Sequence, residues 1–167
     1  MTLFCERASK ILGKIVKKAD IKSHKVVGSI NLPARDIFKI QDGVWSDWTE
    51  IAPTEENLPT SFNTLQELGQ QVLISTSGPL RRMQFVREWL EVNGLLHGNF
   101  FPLGPNVPKV SLECDALVDD APEQIGWFIE KHRIGFLYEQ PWNLNAAVQG
   151  AIRIKSVHDL VSRYDHR

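Results

Sequence analysis

An apolar run that ends in two adjacent carboxylates, Ala116-Leu117-Val118-Asp119-Asp120, and opens at once into Ala121-Pro122 leaves this chain few ways to fold. Proline is tolerated in the first turn of a helix, so the aspartates stand at a strand-to-helix junction. Carboxylates leaving the end of a buried strand are costly unless something pairs with them. A hard cation such as Mg²⁺ prefers oxygen ligands of this kind. The alternative is a plain junction in which one aspartate caps the helix and the other faces solvent.

Around this junction, strand-like and helix-like segments alternate. Gln71-Val-Leu-Ile-Ser-Thr76 has the composition of a buried strand and ends in small hydroxyl residues. Pro79 then starts a helix that runs to Asn93 and stops at Gly94. Residues 101–108 form a Pro/Gly-rich loop. The helix after Pro122 buries Ile125, Phe128, Ile129 and His132, and Ile134–Tyr138 and Ala151–Ile154 are further strands. Ser156 and Asp159 make a capping box for a last helix. Thr60–Gly69 is helical, with Phe62, Leu65 and Leu68 turned inward. Such alternation predicts an α/β fold with a parallel sheet, and ligands in such sheets lie beyond the carboxyl ends of the strands.

The first 60 residues are less regular. Ala8, Ile11, Leu12, Ile15 and Val16 recur at helical spacing, which predicts a helix over 6–19 within an N-terminal extension, residues 1–24. Lys25–Ile30 has the composition of a short strand. Asp42-Gly43 between the β-prone segments 37–40 and 44–51 predicts a hairpin flap over 37–51, with Trp45 and Trp48 alternating across it.

At 167 residues and a formal net charge of −1, the chain is expected to be one domain, residues 1–167. That balance offers no footprint for nucleic acid or an acidic membrane, and Lys10, Lys14, Lys17 and Lys18 fit a solvated helix face. No apolar stretch reaches the roughly 20 residues of a membrane span. The first residues include Glu6 and Arg7 and have no signal-peptide core. Cys5 and Cys114 do not make a disulfide framework, which favours a reducing, cytoplasmic setting. The five histidines show no metal-ligand spacing.

Taken in order, several of these pieces resemble the haloacid dehalogenase superfamily, and more narrowly its 5'(3')-deoxyribonucleotidase group. The carriers are Leu73-Ile-Ser-Thr76-Ser77-Gly-Pro79; the set Lys109, Asp115 and Val118-Asp119-Asp120; and Pro141-Trp142-Asn143, followed by Ile152-Arg-Ile-Lys-Ser156. The likeness covers roughly residues 58–162. It implies a three-layer α/β/α sandwich with a Rossmann-like parallel sheet. It also implies a phosphate held by Thr76, Ser77 and Lys109, with Mg²⁺ on Asp119 and Asp120.

The first motif of that family, Asp-x-Asp at the end of the first strand, is missing from residues 1–60. One register puts Ser29 and Asn31 in its place; another, Ile40-Gln-Asp42-Gly-Val, puts Ile40 at the nucleophile and keeps Asp42 nearby. Covalent carboxylate catalysis needs the missing group. The resemblance therefore implies a pseudophosphatase that binds a phosphorylated small molecule, with weak Mg²⁺ affinity. Without the two lost carboxylates, Lys109 is expected to stand in for the cation, within salt-bridge distance of Asp119 or Asp120. The alternatives are an active phosphomonoesterase drawing on Asp36, Asp42 or Asp47, and a homo-oligomer or protein-interaction module using the exposed tryptophan.

Overall fold

A computed structural model of the chain describes residues 1–96 and 99–164. Its helices are α1 (Thr2–Leu12), α2 (Ala34–Ser46), α3 (Leu58–Glu67), α4 (Leu80–Val92), α5 (Pro122–Glu130) and α6 (His158–Tyr164). Its strands are β1 (Ile74–Ser77), β2 (Phe100–Leu103), β3 (Ala116–Asp119), β4 (Ile134–Tyr138) and β5 (Ile152–Ile154). The fold is α/β, and every strand pair is parallel. The strands form two sheets, β1-β2 and β3-β4-β5.

The three-stranded sheet carries the aspartate pair, and its side chains alternate as the pleat requires. Leu117 and Leu137 pack with Ile125 and Phe128 of α5. Phe136 and Ile154 point the other way, into a cluster with Leu65 of α3 and Leu160 and Val161 of α6. Gly135 lets α5 lie close to β4, since a Cβ there would stand 2.7 Å from Ile125 Cγ2 and 3.1 Å from Ile129. Gly135→Ala is therefore expected to destabilise by about 2 kcal/mol, the range for overpacking a filled core. Urea denaturation followed by circular dichroism reads it, and an unchanged midpoint would show that α5 yields freely.

The N-terminal third departs from its local signals. Residue Gly13, with φ 64°, ends α1 early, so Ile15 lies beyond the helix and is 79% exposed. The expected hairpin flap at 37–51 is a helix instead. Ile37, Ile40 and Val44 recur every three to four residues and join Phe4, Cys5 and Ala8 of α1 in one cluster, so burial at helical period prevails over the Asp42-Gly43 turn signal. Arg7 Nη1 lies 2.7 Å from where a Gly43 Cβ would be, a contact that the flexible end of the arginine can relieve. Trp45 packs edge-on against Trp89 of α4, with centroids 6.5 Å apart, and Trp48 opens a 3-10 turn. Both indoles are half-buried, not alternating on a flap.

The expected strand at 25–30 is a run of turns. Val26, 2% exposed, is drawn into the α1–α2 cluster with φ 64°, and the Ser29 N–H donates to the Val26 carbonyl. Ser29 Oγ accepts the Lys22 N–H and Asn31 is exposed, so neither residue stands at the end of a core strand. Conversely, part of the expected 101–108 loop is strand, with Phe101 registered against Ser75. His132, expected inside, is exposed at φ 58° just after α5.

Candidate functional site

Asp119 closes β3 and is 7% exposed. Its Oδ1 accepts the Ala121 N–H at 2.8 Å, which fixes the chain as it turns into α5. Its Oδ2 accepts Lys109 Nζ at 2.5 Å. Lys109 is placed by a 3-10 turn, Lys109–Ser111, whose first N–H donates to Gln124 Oε1 of α5. One short segment thus brings the cation over the end of the neighbouring strand.

Asp120 is held through its backbone. Its carbonyl accepts Trp142 Nε1 at 3.3 Å and Asn143 Nδ2 at 2.9 Å. Asn143 is fully buried; it also donates to the Tyr138 carbonyl, and its Oδ1 accepts the Gln140 N–H. Arg153 braces the same loop by donating to the Asn143 and Ala146 carbonyls and to Glu139 Oε1. Pro141-Trp142-Asn143 is therefore the buttress of the aspartate pair.

Burial, and then the charge of Asp119, push the Asp120 carboxyl up to about 6, while Lys109 and His24 pull it down. A carboxyl raised on folding binds more protons in the native state than in the unfolded one. Its contribution to stability is full below the unfolded value of 3.8 and is lost as pH rises toward about 6. Asp120→Asn mimics the protonated form, so it is expected to flatten the stability profile between those values. Urea midpoints of both proteins across that range provide the check; parallel curves would mean that Asp120 titrates normally.

His24 is the participant that sequence reasoning missed. Its Nε2 lies 3.6 Å from Glu123 Oε1 at the start of α5, an ion pair when the imidazole is protonated. Lys18 Nζ sits 5.9 Å over the Trp142 ring. The N-terminal segment thus borders the aspartate pair from a distance in sequence that no motif spacing reveals.

The other predicted residues are more dispersed. Thr76 and Ser77 end β1, and among the described residues no hydrogen bond or ion pair joins either to Lys109, Asp119 or Asp120. Ser75 and Lys109 do line one groove of 320 Å³, between β1 and β3. Asp42 is in α2, where its two oxygens take Arg81 and Arg82 at 2.7 Å each and hold its carboxyl below the usual range. Asp47 pairs with Arg7, and Asp36 with Arg35.

Both oxygens of Asp119 are engaged, and no group of three His, Cys, Asp or Glu side chains among the described residues is arranged to hold a metal ion. With Lys109 beside Asp119, a divalent cation there would have to displace it. No described helix is long and apolar enough to cross a membrane. Comparison with protein-family models and with curated proteins returns no match.

Proposed function

We propose that the chain is a phosphatase-fold protein of the haloacid dehalogenase type that has lost its nucleophilic aspartate and keeps a pocket for the phosphate of a small molecule. In this reading the two parallel sheets are halves of a three-layer sandwich, and the site lies at their carboxyl ends. The observation that carries the reading is the Lys109–Asp119 pair at the end of β3. A phosphate would draw Lys109 from Asp119 as a competing anion, with Ser75 of β1 lining the same groove. Asp36, Asp42 and Asp47, the side chains that an active enzyme would have to recruit, are each paired with an arginine. That favours binding over turnover.

Mg²⁺ would have to displace Lys109 from Asp119, so its affinity is expected to be weak unless phosphate draws the lysine away. The protein is taken to work in a cytoplasmic, reducing setting. Calorimetry with Mg²⁺ alone, inorganic phosphate alone, and both together tests the reading. The expected result is negligible heat from Mg²⁺ alone and binding when both are present, lost in Lys109→Ala. Tight binding of Mg²⁺ alone, or phosphate binding indifferent to Lys109, would contradict it.

A further inference from the structure

The formal charge of −1 conceals a strong division of charge along the chain. Residues 1–40 carry nine Lys and Arg against three Asp and Glu, a formal +6; the remaining residues carry ten against seventeen, −7. The basic part is also a structural unit, since α1, α2 and the turns between them share one apolar cluster. Its lysines are individually exposed.

Between α1 and α2 lies a groove of 580 Å³ lined by Arg7, Lys10, Ile11, Asp36, Lys39 and Ile40. Arg7 is neutralised by Asp47, and Asp36 by Arg35. No ion pair engages Lys10 or Lys39 among the described residues, so the groove has two unpaired cations, one from each helix. Ile11 is 58% exposed within it, and Phe38, on the neighbouring face of α2, is 52% exposed. Two kinds of feature therefore meet at this shallow, open groove: the exposed Ile11, with Phe38 nearby on α2, and a lysine from each helix.

We infer that this groove takes an acidic amphipathic helix of a partner protein. A third helix laid along two packed ones fills the groove with its apolar stripe. Acidic residues flanking that stripe meet Lys10 on one side and Lys39 on the other. α1 has 11 residues, about 16 Å at 1.5 Å per residue, so roughly three turns of partner helix match it. An anionic lipid surface is a poorer fit, because the acidic remainder of the chain is repelled by it. Nucleic acid offers phosphates for the lysines but nothing to cover Ile11.

A fluorescein-labelled peptide of about 18 residues, with leucine on one face and glutamate on the other, is long enough to form a helix on binding and serves as the probe. Fluorescence anisotropy against the full chain is expected to show saturable binding that weakens with salt. The double variant Lys10→Glu/Lys39→Glu, altered only at exposed positions, is expected to lose about tenfold or more in affinity. Ile11→Ser tests the apolar contribution and is expected to weaken binding as well. Circular dichroism confirms that both variants fold. The same peptide with lysine replacing every glutamate, phosphatidylserine vesicles and a duplex oligonucleotide are the comparison arms. Failure of the acidic peptide to bind, binding unchanged in the double variant, or binding of the cationic peptide, vesicles or DNA in preference would overturn the inference. None of these outcomes depends on Lys109 or Asp119, so the phosphate-site reading stands or falls separately.

Discussion

Lys109→Ala is expected to cost about 3 kcal/mol of folding stability, because it leaves a buried carboxylate without its cation. The Asp119 side chain is 4% exposed and that of Lys109 is 21% exposed, so little solvent reaches the pair. The loss should come from the stranded charge and much less from any net value of the pair itself. The double variant Lys109→Met/Asp119→Asn distinguishes the two. Its asparagine oxygen still accepts the Ala121 N–H that Asp119 now takes, and no charge is left unpaired. Most of the lost stability should return. Urea unfolding of the three proteins gives the result, and a single variant within about 0.5 kcal/mol of the parent would mean that Asp119 is solvated or otherwise paired.

Asn143→Ala should be of similar size, about 3 kcal/mol, for a different reason. Its side chain makes three hydrogen bonds, donating to the Asp120 and Tyr138 carbonyls and accepting from the Gln140 N–H. Alanine removes all three at a fully buried position. Trp142 still donates to the Asp120 carbonyl, at the longer distance of 3.3 Å, but the Gln140 N–H and the Tyr138 carbonyl lose their side-chain partner. Asn143→Asp should be no better, since a carboxylate cannot donate and adds a buried charge. Thermal unfolding is the measurement; a small shift for both variants would mean that water replaces the amide.

Most of the fold after Thr60, β2 excepted, is legible in the sequence because its elements answer to local rules. Pro79 and Pro122 mark helix starts, Gly94 follows the end of α4, and apolar runs bounded by turns give β1, β3 and β4. The Lys109–Asp119 pair belongs to this class: ten residues separate the partners, and one turn between them suffices. What could not be foreseen depends on contacts far apart in the chain. Asp42-Gly43 carries a hairpin signal, yet Asp42 sits in α2 paired with Arg82, 40 residues away. Val26 is β-prone, but it is held in a left-handed turn by a cluster assembled from α1 and α2. His24 reaches Glu123 only when the N-terminal segment folds against α5. At Asp42-Gly43 and Val26 a local signal is overridden by burial, whereas His24 carries no local signal at all.

The central claim is that the site can hold a phosphate group but lacks the carboxylate to attack it. The direct measurement is phosphate release from a panel of phosphomonoesters with Mg²⁺ present, run beside Asp119→Asn under the same conditions. The account predicts no release above the Asp119→Asn baseline for any member of the panel. Release by the parent chain that disappears in Asp119→Asn would contradict it and would require an attacking group elsewhere in the chain.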